Sequence, residues 1–204
     1  MIESNYDNNI KDFKMCDKLK EVNGLTSEEI LNKYWSVERN VYPIDIATIL
    51  FKMGIRVYPY DFSKFDESDS QRKILGAMVA NKKDIAFLYR QGESLNRNRF
   101  TLAHELAHCC LAHLDEQTIP YVEYRHDGVV TDKCEIDANI FAGELLIPTK
   151  ELRTILSNEY PNALPKVTKL AETFAVSVNV MAERLKYLKL PYIDECDRKI
   201  YCVE

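Results

Sequence analysis

What this chain lacks narrows its function before any motif is read. No apolar run approaches the roughly 18 residues of a membrane-spanning helix, so no membrane association is expected. The opening residues, Met1-Ile2-Glu3-Ser4-Asn5-Tyr6-Asp7-Asn8-Asn9-Ile10, have neither the basic start nor the apolar core of a signal peptide. A cytoplasmic location is expected on that ground. No C-x-x-C pair occurs among Cys16, Cys109, Cys110, Cys134, Cys196 and Cys202, which argues against a structural zinc site. Without an export signal these cysteines are expected to be reduced thiols. Positive charge is not in excess: 27 Lys and Arg against 32 Asp and Glu leave a net charge of −5. That is a poor basis for a general nucleic-acid binder, which depends on Lys and Arg. No internal repeat or low-complexity tract is evident. The remainder is ordinary for a globular chain, with 46% hydrophobic and 29% charged residues in 204. That length suffices for one sizeable core, or one core with a small appendage.

Histidine is scarce as well, at 4 residues, and two of them stand in the most informative stretch, His104-Glu105-Leu106-Ala107-His108. It reads H-E-x-x-H. On an α-helix the two histidines lie about 40° apart in azimuth and about 6 Å apart in height, so both rings can reach one metal ion. Glu105 stands about 100° from His104, beside that face, where its carboxylate can act on a water at the metal. Five-residue patterns also occur by chance, and the flanking residues decide. With His104 at 0°, Leu106, Cys110, Ala103, Leu114, Ala107, Phe100 and Leu111 fall in one arc from about 200° to about 340°. The histidines stand on the border of that apolar stripe, where the wall of a cleft would need them. The pattern points to a zinc-dependent hydrolase, most simply a peptidase.

Catalytic zinc usually takes three protein ligands and leaves a fourth position for water. His113 is five residues past His108 and on a continuous helix points about 140° away from it, so it is not expected to join the ion. The H-E-x-x-H-x-x-G-x-x-H pattern would need Gly at position 111 and His at position 114; Leu111 and Leu114 exclude it. The remaining source is a second helix running from near Thr131 to Ala142 and stopping at Ile147-Pro148. There Glu135, Asn139, Ala142 and Leu146 share one face, while Asp137 points about 200° from Glu135. If that face meets the first helix, Glu135 is the third ligand and Asn139 could brace a histidine from behind. The competing reading is a salt-bridged surface Glu135. Cys109 and Cys134 flank the candidate ligands but project off their faces, and read as packing residues, with thiolate ligation the minor alternative.

Around these helices, residues 1–24 read as a polar, loosely held segment. A helix is expected from Ser27, with Glu28 and Glu29 in its first turn. A second is expected with Pro43 in its first turn, running through Ile46, Ile49 and Leu50 to Gly54. Ile55-Arg56-Val57-Tyr58 reads as a strand. Ile74–Val79 and Asp84–Tyr89, joined by Asn81-Lys82-Lys83, read as a β-hairpin. Its second strand could hold a substrate backbone by edge pairing. The H-E-x-x-H helix is expected to start between Ser94 and Asn98. Residues 115–131 read as a loop holding Tyr121, Tyr124 and His126, any of which could stabilise an oxyanion near the metal; each could equally be an ordinary loop residue. Helices are expected over 149–157, 165–174 and 177–188, the last two with the spacing of a helix-turn-helix. Packing rather than DNA contact is the favoured reading, because the second of these carries only Arg184, Lys186 and Lys189. The tail to Glu204 would add an edge strand or remain mobile. The fold class is α+β, mainly helical, with a small antiparallel or mixed sheet beside the H-E-x-x-H helix and C-terminal helices.

Several segments together resemble the ImmA/IrrE family of zinc metallopeptidases. Arg99-Phe100-Thr101-Leu102-Ala103-His104-Glu105-Leu106-Ala107-His108 is similar to its active-helix signature, and Glu135 through Pro148 to its second signature. Ile44-Asp45-Ile46-Ala47 through Gly54-Ile55-Arg56-Val57 resembles its opening region, and Leu170-Ala171 through Arg184-Leu185 its helical end. The resemblance covers roughly residues 40 to 190. It implies a zincin-like metallopeptidase domain over 25–148 with a helix-turn-helix-like region over 149–204 packed on it. It also implies zinc (Zn2+) at His104, His108 and Glu135, and Glu105 as the catalytic carboxylate. Two departures stand out: Ala107 where the family often has Gly, and Ala112 where it often has His, with His113 one place later. Members are intracellular proteases of bacteria, mobile elements and phages that cleave a helix-turn-helix repressor, so such a protein partner is implied. Direct DNA binding is not expected. Two other functions fit the same scaffold: a non-catalytic regulatory module that docks a repressor or DNA, and a toxin-antitoxin component.

Overall fold

The sheet grows from the alternation read between residues 73 and 90. In the computed structural model, which describes residues 17–35, 42–65, 73–80, 85–113, 121–125 and 132–201, β2 (Lys73–Ala80) and β3 (Ile85–Arg90) pair antiparallel, with Gly76 opposite Tyr89 and Ala80 opposite Ile85. The strand read near residue 55 is β1 (Arg56–Tyr60), and it lies parallel to β3. A fourth strand, β4 (Tyr121–Arg125), pairs antiparallel with β2. The order is β1-β3-β2-β4. Two expectations change here. Residues 121–125 are strand rather than loop, because β2 offers a second ladder that their backbone completes. β3 is an inner strand with both edges occupied, so it cannot pair with a substrate; among the described strands of this sheet, β1 and β4 are the outer ones.

Helices cover one face of the sheet. α2 (Ser27–Tyr34) starts where Thr26 and Glu29 form a reciprocal capping box. α3 (Ile46–Lys52) starts later than Pro43, which lies in the bend before it. The Asp45 carboxylate accepts the Ala47 and Thr48 N–H groups and sets the first turn there. Residues Asp17–Val22 form α1. Its end is not loosely held: Leu19 and Val22 are buried, and the Gly24 N–H donates to the Cys110 carbonyl at 2.8 Å.

The H-E-x-x-H helix, α4 (Leu95–Cys110), is capped by Ser94, whose Oγ accepts the Arg97 N–H. Every residue from Arg99 to Cys110 is buried. From Phe100 to Cys110 the apolar stripe read from the wheel is therefore part of a buried stretch of helix packed against α3, α1 and α5 (Lys133–Leu146) and against β2 and β3, while Leu111 lies past the helix end and Leu114 outside the described residues. Burying a charge such as Arg99 requires partners. Its Nη2 donates to the carbonyls of Ile44 at 2.9 Å and Phe174 at 3.3 Å. One main core results, built from Ile30, Ile49, Leu50, Phe87, Leu106, Ala142, Leu146, Phe174 and Met181 among others.

Past Pro148 the chain continues as α6 (Thr149–Glu159), α7 (Val167–Phe174) and α8 (Val178–Tyr187). The tail adds a hairpin of its own, β5 (Tyr192–Asp194) with β6 (Lys199–Tyr201), rather than an edge to the main sheet. The helix-turn-helix spacing of α7 and α8 serves packing at its one arginine. Arg184 is only 4% exposed. It forms an ion pair with Glu144 of α5 and donates to the Ile147 carbonyl and to Thr149 Oγ1.

Candidate metal centre

The two histidines share one face of α4, and their Nε2 atoms lie 2.9 Å apart. The third group comes from α5. Asp132 caps that helix by accepting the Cys134 and Glu135 N–H groups, which puts Glu135 in its first turn. Glu135 Oε2 then stands 3.2 Å from His104 Nε2, and Oε1 stands 3.3 Å from His108 Nε2. Among the described residues, His104, His108 and Glu135 form the one group of three that could hold a metal ion, their donor atoms all within 4.8 Å of one another. Two imidazole lone pairs and a carboxylate aimed at one point repel unless a cation lies there. Tetrahedral zinc with bonds of about 2.0–2.1 Å holds neighbouring donors about 3.3 Å apart, and two imidazoles with a carboxylate form a familiar catalytic set. The observed separations are close to that spacing.

The outer nitrogens are held too. Asn139 Oδ1 lies 3.0 Å from His104 Nδ1. An amide oxygen only accepts, so Nδ1 carries the proton and Nε2 keeps its lone pair for the centre. Burial lowers the His108 pKa to about 3, with the neighbouring His104 adding to the effect. The imidazole is thus neutral, as a metal ligand must be.

His113 lies where a continuous helix would not put it. α4 ends at Cys110, and Ala112 takes a left-handed conformation with φ 56°. The His113 N–H then donates to the His108 carbonyl at 3.1 Å, the bond that closes a Schellman turn. The side chain swings back so that its Nδ1 is 3.1 Å from His108 Nδ1. It does not join the three donors, but it touches one of them. No residue type here signals the turn, because alanine favours helix and a left-handed helix end is ordinarily marked by Gly or Asn.

Glu105 is 1% exposed and faces β2. The register of β2 slips between Ile74 and Gly76, and Gly76 passes directly over α4. A Cβ at Gly76 would lie 2.5 Å from Thr101 Cγ2 and 2.9 Å from Glu105 Oε1. Only a residue without a side chain lets the strand come this close. Sequence reasoning passed over this glycine. Tyr121 and Tyr124 lie on β4, opposite Met78 and Ile74 of β2, while His126 falls outside the described residues. Of the two cysteines read as packing residues, Cys109 is one, with its thiol 3.4 Å from Met78 Sδ. Cys134, by contrast, is exposed on the first turn of α5.

No helix among the described residues is long and apolar enough to cross a membrane. A comparison with curated proteins finds no match. The peptidase M78 family model, described as the IrrE N-terminal-like domain, matches residues 52–186. That span is more than half of the chain and holds both helices that meet at the candidate metal site, so this chain belongs to the IrrE N-terminal-like family of metallopeptidases.

Proposed function

We propose that this protein is an intracellular zinc-dependent endopeptidase that cleaves a partner protein, a helix-turn-helix repressor. The convergence of His104, His108 and Glu135 within 4.8 Å, on the helix that carries Glu105, is the observation that supports the reading best. Membership of a metallopeptidase family supports the reaction class. His104 Nε2, His108 Nε2 and one or both Glu135 oxygens would hold the metal. When bound, zinc supplies Lewis-acid activation of a water and polarises the scissile carbonyl.

The chain's own residues account for the rest. Glu105 accepts a proton from the attacking water and returns it to the departing amine, the role its carboxylate can fill next to the ligand face. Glu105 itself is buried, so its carboxylate interacts with a water at the metal in a low-dielectric setting, while the partly exposed Glu135 leaves the centre open on the α5 side. Asn139 fixes the ring of His104. Tyr121, Tyr124 and His126 are the candidates for an oxyanion donor, with two of them on the strand next to β2.

The decisive experiment incubates the zinc-loaded protein with the product of a neighbouring repressor gene and maps any fragments by mass. Glu105→Gln should retain stoichiometric metal and lose about 10²–10⁴-fold in cleavage rate. His104→Ala should lose the metal as well. A partner that stays intact while binding tightly would replace hydrolysis with docking. Cleavage by Glu105→Gln at the wild-type rate would remove that residue from the mechanism.

A further inference from the structure

We propose that His113 is a positioning residue for the metal centre, holding His108 as Asn139 holds His104. The inference rests on the metal-site reading above and extends it to a side chain outside the three donors.

A ligand histidine must present one nitrogen with a free lone pair, and the partner of its other nitrogen decides which one that is. His108 Nε2 faces His104 Nε2 at 2.9 Å and Glu135 at 3.3 Å, so Nε2 is the donor side. His108 Nδ1 therefore carries the proton. It points at His113 Nδ1, 3.1 Å away, a normal hydrogen-bond length. His113 accepts that proton's hydrogen bond and keeps its own on Nε2. The pairing has a rigid base, because the His113 N–H is bonded to the carbonyl of His108 itself. Backbone and side chain of residue 113 thus grip the same residue, and the two rings meet edge to face with centroids 5.1 Å apart.

A helical residue four places after His108 would sit beside it along α4. Here the left-handed Ala112 ends the helix, and the residue five places on is turned back over the ligand. The turn and the histidine form one device, and neither residue would place the ring there without the other.

The full-length protein distinguishes this from simple packing through two variants. His113→Phe keeps an aromatic ring against His108 but removes the acceptor. His113→Asn gives up the ring but offers Oδ1 near the place of Nδ1. Zinc affinity is measured by competition with a chromogenic chelator, and the cobalt(II)-substituted forms are compared by their visible absorption. His113→Phe is expected to bind zinc about 10- to 100-fold more weakly and to change the cobalt bands. His113→Asn is expected to stay within about threefold of wild type with the cobalt spectrum retained. The inference is overturned if His113→Phe binds as tightly as wild type, or if His113→Asn is as weak as His113→Phe. A wild-type protein that binds no zinc would overturn the metal-site reading, and this inference with it. Wild-type binding with both variants unchanged would overturn this inference alone.

Discussion

Replacing Gly76 by alanine tests how closely the sheet must approach the H-E-x-x-H helix. The new methyl would lie 2.5 Å from Thr101 Cγ2 and 2.9 Å from Glu105 Oε1, with the Leu88 carbonyl at 3.4 Å. Carbon atoms prefer about 3.5–4.0 Å, so the strand, Thr101 or Glu105 must shift by about 1 Å. Overpacking of this kind costs about 1–3 kcal/mol of stability. A 1 Å displacement of a reacting group costs about 10²-fold in rate. Gly76→Ala should therefore lose both stability and activity, and a second substitution separates the two. Thr101→Ser removes the Cγ2 methyl and with it the shortest contact, while leaving the one to Glu105. In the Gly76→Ala/Thr101→Ser protein the urea midpoint should recover by more than half, while kcat/KM stays about 10²-fold low. Metal content should match wild type throughout. Full activity in Gly76→Ala, or activity that recovers in step with stability, would refute the argument that β2 sets the position of Glu105.

Four further outcomes follow from the same geometry. Asn139→Leu should weaken zinc binding by about 10- to 100-fold through loss of the bond to His104 Nδ1, which chelator competition would register; unchanged affinity would remove Asn139 from the site. In the metal-free protein His108 has a folded pKa near 3, below its unfolded value of about 6.5. The unfolded chain then binds the proton first, so stability present above about pH 6.5 is lost as pH falls toward 3, by up to about 1.4 kcal/mol per unit. Urea midpoints of the wild type should thus fall more steeply over that range than those of His108→Gln, and equal slopes would contradict the assignment. Arg184→Met leaves Glu144 without its buried partner and should cost about 2–3 kcal/mol, the lower side of the range because the Glu144 side chain is 33% exposed; a thermal melt within a degree of wild type would refute this. Arg99→Met leaves the Ile44 and Phe174 carbonyls without their donor and should cost about 1–3 kcal/mol, read from the same melts.

The sequence made the site legible wherever chemistry repeats at a fixed spacing. His104, Glu105 and His108 declare themselves by helical geometry, and Glu135 with Asn139 by sharing a face seven and three residues ahead of Ala142. The helix limits near Ser27, Ser94 and Pro148 follow from caps and from proline, which act locally. What escaped depended on distant partners. β4 is a strand only because β2 lies beside it. Gly76 matters only because α4 passes beneath it. Arg184 resembles a cation on a DNA-reading helix until Glu144, Ile147 and Thr149 meet it inside the core. His113 stays outside the three donors, as its spacing required, but its contact with His108 escaped because a wheel assumes that the helix continues, and this one stops at Cys110.

The two buried arginines carry a consequence for anyone who would trim the molecule. Arg99 reaches from the motif helix to the last carbonyl of α7, and Arg184 reaches from α8 back to the helix bearing Glu135. A fragment cut at Pro148 would keep every candidate ligand and both halves of the signature, yet shed an acceptor from one guanidinium and the whole of the other. The half with the candidate ligands and the helical end are therefore joined like a lintel and its posts, and the metal affinity of the centre should register the loss of a segment that contributes none of the three donors.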